Sequence, residues 1–149
     1  MEINKVTRKI RLDSMHTAIK YQLITELVFL RKQSIIESDL VYLTLLVEWG
    51  PISLKQFCNN VVIYLYGADS IKDVEKYPVR VQNVRNRMSV LEKRGLVHKD
   101  GKGKKVISFN PSINIQASPN LLLEYNFLYL ETKEDKTVNT RVSQEVASL

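Results

Sequence analysis

The sequence predicts an α+β fold that is mainly α-helical. From Asp13 to Lys93 most apolar residues recur at spacings of three and four, which is typical of helices packed on a core. Behind the last of these helices, two short apolar segments flank a tip rich in glycine and lysine at 100–105, which indicates a β-hairpin. The chain has 149 residues, a length that suits one domain with a buried core.

Residues 1–37 are predicted to form an N-terminal arm or strand followed by a helix. Lys5 to Leu12 alternates between basic and apolar residues, so the segment is either an edge strand or a basic arm. Asp13 is the predicted N-cap of a helix whose apolar residues run from Met15 to Leu30.

Residues 38–111 are predicted to be the central domain, which begins with two helices. The first opens at Ser38 and ends at Gly50-Pro51, because proline cannot continue a helix. Ser53 and Gln56 have the spacing of a capping box, so a second helix begins at Leu54 and continues to about Tyr66.

A longer helix follows, with Pro78 as its predicted first residue. At about 100° per residue, its apolar side chains share one side and its polar side chains the other. The apolar side consists of Val81, Val84, Met88 and Leu91. Gly95 ends this helix, and the hairpin comes directly after it.

The C-terminal part is predicted to contain a second β-hairpin at 112–131, packed on the same domain. Ile113 and Ile115 alternate with polar residues, 118–120 resembles a turn, and 121–130 alternates again with tyrosine and phenylalanine at period two. Residues 132–149 are polar and are predicted to form a flexible tail.

Positive charge is concentrated in residues 77–110. Nine basic residues oppose two acidic ones there, a net charge of +7, whereas the whole chain carries +6. The basic residues are Arg80, Arg85, Arg87, Lys93, Arg94, Lys99, Lys102, Lys104 and Lys105. An excess of this kind indicates an anionic partner or a solvated face.

Several classes of protein are disfavoured by the sequence. The longest apolar run is far shorter than the roughly 20 residues that cross a bilayer, so no membrane span is expected. Cys58 is the only cysteine, which excludes an internal disulfide and makes the cytoplasm the expected location. No catalytic motif, metal site or cofactor motif is recognisable, so we expect a non-enzyme without cofactors.

The central domain resembles the winged-helix superfamily of DNA-binding proteins. The most characteristic segment is VRNRMSVLEKRGLV at 84–97, in which a helix closes on a leucine, a basic pair and a glycine before the first strand of the wing. The resemblance implies binding of double-stranded DNA by a regulator of transcription or replication. It implies base contacts from Gln82, Asn83, Asn86 and Ser89. It also implies phosphate contacts from Arg80, Arg85, Arg87, Lys93, Arg94, Lys102, Lys104 and Lys105.

The resemblance leaves two questions open. Val62 to Tyr77 is longer than the usual turn between the second and third helices, so the chain departs from the pattern of the superfamily at this point. Winged helices also hold protein partners, so the alternative is a structural or assembly protein, for example of a phage or mobile element. A homodimer through the N-terminal helix or the C-terminal hairpin is also predicted.

Overall fold

The computed structural model describes residues 2–131, which form an α+β fold dominated by helices. Within this range the α-helices are Met15–Leu23 (α1), Glu37–Trp49 (α2), Leu54–Tyr66 (α3) and Lys76–Lys93 (α4). The strands are Glu2–Leu12 (β1), Ile52–Ser53 (β2), Val97–Asp100 (β3), Val106–Phe109 (β4) and Leu121–Glu131 (β5). The predicted tail at 132–149 lies outside the described residues.

The chain divides into two compact units. One comprises residues 12–121, and the other is a ribbon made of residues 2–11 and 122–131. The sequence instead predicts a first boundary at 37 and groups 112–131 with the central domain. The ribbon exists because β1 pairs with β5, which a local pattern cannot reveal.

Helices build the core of the larger unit. Helix α1 continues into a π-helical segment at Ile24–Leu30 and packs against α2, while α3 packs against α4. The N-cap of α1 is Ser14, whose Oγ accepts a hydrogen bond from the N–H of Thr17, and not the predicted Asp13. The fully buried side chains include Ile19, Leu23, Leu27, Leu43, Leu46, Phe57, Val61, Met88, Leu91 and Ile107.

Cys58 lies in this core, as its place on the apolar face of α3 predicts. Burial raises the pKa of its thiol to about 11. The thiol is therefore protonated at neutral pH and serves as a small apolar core residue.

A small antiparallel sheet completes the larger unit. Strand β4 lies between β2 and β3, with Ile52 opposite Ile107 and Val97 opposite Phe109. Strand β2 has two residues, and its pairing is prolonged by the N–H of Leu54, which donates to the carbonyl of Lys105 at 2.8 Å. The predicted hairpin at 96–109 is therefore one part of a three-stranded sheet.

The predicted second hairpin at 112–131 is wrong. Residues 112–120 form no strand, and they are held to α1 by Gln22, whose side chain bonds the backbone N–H and carbonyl of Gln116 at 2.7 Å each. Ile113 packs into the core instead. Strand β5 exists, but its partner is β1.

None of the helices within residues 2–131 is both long and apolar enough to cross a lipid bilayer.

Candidate nucleic-acid interface

Helix α4 is fixed at its N-terminus by Asp73. Its carboxylate accepts hydrogen bonds from the N–H groups of Lys76 at 3.0 Å and Glu75 at 3.3 Å, and these bonds lower the pKa of Asp73. The helix therefore begins at Lys76, two residues before the predicted Pro78. Proline is tolerated there because the N–H groups of the first turn have no partner within the helix.

The long connection between α3 and α4 is folded and anchored. It contains a 3₁₀ turn at Ala68–Lys72, and the hydroxyl of its buried Ser70 donates to the carbonyl of Gly67 at 2.6 Å. The hydroxyl of Tyr77 donates to Asn59 of α3 at 2.7 Å. These bonds give α4 a defined attachment despite the inserted residues.

The core face of α4 is the predicted one, with Val84, Met88 and Leu91 buried. On the other side, Gln82, Asn83 and Asn86 are exposed or half-buried, and Ser89 is half-buried. The side-chain amide of Gln82 donates to Asn86 Oδ1 at 2.8 Å. This bond holds the two amides side by side, with donors and acceptors of the kind that bond adenine edges in DNA.

Three of the arginines that the resemblance assigns to phosphate have partners within the protein. Arg87 bonds the buried Asp39 through Nε at 3.0 Å and Nη2 at 2.6 Å. Arg94 donates to Gln33 and to the carbonyl of Ser34. The guanidinium of Arg80 lies 3.8 Å from the ring centre of Tyr66, a cation–π contact.

The hydrogen bonds of Arg87 raise its pKa above the ordinary value, so it stays charged while it neutralises Asp39. Phosphate binding by Arg87 and Arg94 stays a prediction, which these internal bonds do not favour. Arg85 is half-buried and lies near Cys58, since its charge acts on the pKa of that thiol.

Lysines remain available to a partner. Lys93, Lys102, Lys104 and Lys105 are exposed or half-buried, and within residues 2–131 no acidic side chain forms a salt bridge with any of them. Lys99 differs, because it bonds Glu92 at 2.7 Å and so joins strand β3 to the end of α4. Four exposed lysines without a salt bridge among residues 2–131 therefore lie at the C-terminus of α4 and at the tip of the β3–β4 hairpin.

The tip has a defined backbone shape. Gly101 has a φ of +81°, and a Cβ there would lie 3.1 Å from Val106 Cγ2, so a side chain at this position would be strained and glycine is favoured. Asp100 accepts the N–H of Gly101 at 2.7 Å, and the N–H of Lys104 donates to the carbonyl of Gly101 at 3.0 Å. A tight turn at Lys102–Lys104, with left-handed backbone at Gly103 (φ +71°) and Lys104 (φ +53°), thus carries two of the tip lysines, and Lys105 follows it.

No protein-family model, curated protein or solved structure matches this chain. We therefore infer a function from the geometry of the described residues alone. Among residues 2–131, no three histidine, cysteine, aspartate or glutamate side chains are grouped as a metal ion would require.

Two contributors to the site are not predicted from the sequence. Asp39 resembles an ordinary acidic residue in the first turn of a helix, where it favours the helix dipole, and its pairing with Arg87 joins residues 48 apart. Tyr66 resembles a helix-end residue, yet it carries the cation–π contact with Arg80. Arg87 is two helices further along the chain than Asp39, and Arg80 is on the helix after Tyr66, so no local pattern predicts either contact.

Proposed function

We propose that residues 38–111 are a winged-helix domain that binds double-stranded DNA through α4 and the β3–β4 hairpin. The protein would act as a non-catalytic regulator of transcription or replication. The observation that carries the proposal is the group of lysines without salt bridges at the tip and at the end of α4, together with the row of amides on the outer side of that helix.

The order of elements supports the winged-helix assignment. The resemblance describes a helix, a turn, a second helix, a longer third helix and then a hairpin that forms the wing. Helix α2, strand β2, helices α3 and α4, and strands β3 and β4 follow in that order, and β4 lies between β2 and β3. In this assignment α4 is the recognition helix.

The internal bonds sort the cations into two roles. Lys93, Lys102, Lys104 and Lys105 would bind phosphates, which supplies affinity without reading sequence. Gln82, Asn83, Asn86 and Ser89 would face base edges in the major groove. Arg87 and Arg94 would set the position of α4 on α2 and on the segment before α2.

The test is fluorescence anisotropy of the full chain with a random duplex across a salt series. The variant K102E/K104E/K105E should bind the duplex much more weakly, and the log–log salt dependence of its remaining affinity should weaken by about 0.9 for each phosphate that the variant no longer neutralises. The matched control K5E/K9E/R11E makes the same charge change on β1. It should retain most of the affinity.

If the two triple variants lose affinity equally, net charge and not the tip is responsible. If the unmodified protein binds no duplex even at low salt, the proposal is wrong. Circular dichroism of each variant separates loss of binding from loss of fold.

A second function is favoured by a different observation. Between the end of α3 and the start of α4, six large apolar side chains are at least 43% exposed: Tyr64, Leu65, Tyr66, Ile71, Val74 and Val79. Clustered exposed apolar residues mark protein-binding surfaces. An assembly protein that holds a protein partner there would retain its function in K102E/K104E/K105E and lose it in V74D/V79D.

A further inference from the structure

Helix α4 presents one continuous outer stripe of side chains. Beyond Pro78, the exposed residues of this helix recur at spacings of three and four, so they fall within about 100° of its circumference. They are Val79, Gln82, Asn83, Asn86, Val90 and Lys93. Ser89 lies at the edge of the stripe and is half-buried. The stripe therefore consists of three amides, two valines and, in the last turn, one lysine.

The arginines of α4 lie off this stripe. Arg80, Arg85, Arg87 and Arg94 are all half-buried, and three of them contact other side chains of the protein. The commonest base-specific contact of proteins with DNA is a bidentate one from arginine or lysine to O6 and N7 of guanine. The stripe has no guanidinium to make this contact. Its lysine stands in the last turn, whereas base edges are contacted by the N-terminal residues of a recognition helix.

Two of the amides are joined into one unit. Nε2 of Gln82 donates one of its two N–H groups to Asn86 Oδ1 at 2.8 Å. That bond leaves the second N–H group and Oε1 of Gln82 for a partner. Adenine requires this pair of groups, because its major-groove edge offers N7 as an acceptor and N6–H as a donor. Turning both amides by 180° exchanges the two roles, so in either arrangement the unit offers one complete edge for adenine.

The valines match the pairing partner of adenine. Val79 and Val90 lie at the two ends of the amide row, are 58% and 38% exposed, and present methyl groups. The C5-methyl group of thymine also lies in the major groove, where it takes apolar contacts. A G·C pair has no methyl group there, and its purine edge holds acceptors only. The chemistry of the stripe therefore fits A·T pairs better than G·C pairs.

We propose that the outer stripe of α4 reads A·T base pairs in the major groove, with the Gln82–Asn86 unit bonded to adenine and the valines against thymine methyl groups. This inference rests on the proposed function, because it requires α4 to be the recognition helix. Gln82 and Asn86 are about 6 Å apart along the helix axis, and base pairs follow each other at about 3.4 Å, so the unit meets one or two neighbouring pairs.

An A·T preference has a second physical source, which lies in the minor groove. A-tracts have a narrow minor groove with a strong negative potential that attracts lysine and arginine. The lysines at the tip of the β3–β4 hairpin would respond to that potential without any contribution from α4. The experiment must therefore separate the two grooves.

Four duplexes with the same flanks make this separation. Their central pairs, in a mixed order without A-tracts, are A·T, G·C, inosine·C or 2,6-diaminopurine·T. Inosine·C presents the major groove of G·C and the minor groove of A·T, and 2,6-diaminopurine·T presents the reverse. In fluorescence anisotropy of the full chain, the A·T and 2,6-diaminopurine·T duplexes should have a Kd at least about 5-fold lower than the other two.

Variants of exposed amides test which side chains carry the preference. Gln82→Ala combined with Asn86→Ala should reduce the ratio of the Kd values to below about 2-fold, because the adenine-binding unit is removed while the lysines remain. Gln56→Ala is the matched control, since it removes an exposed amide from the first turn of α3, and it should leave the ratio unchanged. Gln82→Arg should shift the preference towards G·C and inosine·C, because it places a guanidinium on the stripe. Circular dichroism should show the native helix content in each variant.

The outcomes distinguish this inference from the proposed function. Equal affinity for all four duplexes, a preference for G·C, or a shared preference for A·T and inosine·C would overturn base reading by α4 and leave DNA binding intact. A ratio that persists in Q82A/N86A would overturn it as well. Absence of binding to every duplex at low salt would overturn both proposals.

Discussion

The carboxylate of Asp39 is buried in α2, and the guanidinium of Arg87 is its partner. Breaking a fully buried ion pair by removing one partner costs roughly 3–5 kcal/mol, because a charge is left without compensation. The side chain of Arg87 is 37% exposed, so water offsets part of that loss. We expect Arg87→Met to lower the free energy of unfolding by about 2 kcal/mol, measured by urea denaturation.

Lys93→Met is the control for this prediction, because it removes a cation of α4 that has no salt bridge within residues 2–131. It should change stability by less than about 0.5 kcal/mol. The double variant Asp39→Leu with Arg87→Met should recover part of the stability, since neither charge of the pair remains. Equal effects of Arg87→Met and Lys93→Met would contradict a structural role for the pair.

At the residue scale, the sequence predicts which side of α4 is buried but not which cations are free. Helical periodicity predicts four core residues on α4: Val81, Val84, Met88 and Leu91. The last three are buried, and Val81 is half-buried. The resemblance places Arg87 and Arg94 beside the outer face, as phosphate contacts. Their partners Asp39 and Gln33 are 48 and 61 residues away, so no local pattern identifies them.

Helix α4 depends on Asp73 at its start. Asp73→Ala should shorten the helix and lower stability at neutral pH, because two N–H groups lose their acceptor. The pKa of Asp73 is lowered in the fold, so its contribution is present above its ordinary pKa of 3.8 and disappears as pH falls through the folded value.

Urea denaturation at pH 7 and near pH 2.5 measures the free energy of unfolding of the unmodified protein and of Asp73→Ala. The difference between the two free energies should be large at pH 7 and much smaller at low pH. Asp69→Ala is the control, since the exposed Asp69 contacts only Lys72 at 3.6 Å among the ion pairs of residues 2–131. A difference that persists in full at low pH would mean that Asp73 acts through something other than its charge.

At the element scale, the helices are predicted well and the strand pairing is not. Period-two alternation with aromatic residues correctly indicates a strand at 121–131, but the pattern contains no information about the partner. Strand β2 consists of two residues and is too short to produce any alternation. The end of α3 and the beginning of α4 depend on Gly67 and Asp73, and only the glycine is recognisable in advance.

The whole molecule separates its core from its ribbon. Every residue that is buried lies between Leu12 and Ile113 in the described part of the chain. We expect a fragment comprising residues 12–121 to fold, with the helical circular dichroism of the full chain and a single cooperative urea transition. It should bind duplex DNA with the affinity of the full chain.

Sedimentation and anisotropy on this fragment test DNA binding and the predicted homodimer separately. If the full chain dimerises and the fragment binds DNA without dimerising, the contact between copies lies outside residues 12–121. An unfolded fragment would mean that the ribbon contributes to the stability of the core, contrary to the burial pattern. A folded fragment that still dimerises would place the contact between copies outside the ribbon.

Pairing between the first and last described strands also sets an order of events during synthesis. Thr7 and Asn126 are 119 residues apart, which at about 5–20 residues per second leaves β1 without its partner for roughly 6–24 s on the ribosome. Neighbouring nascent chains on one messenger RNA each expose an unpaired β1 strand to the other during this time. The cations of β1 keep those strands from pairing, whereas β5 needs no such protection because β1 is already present when it emerges.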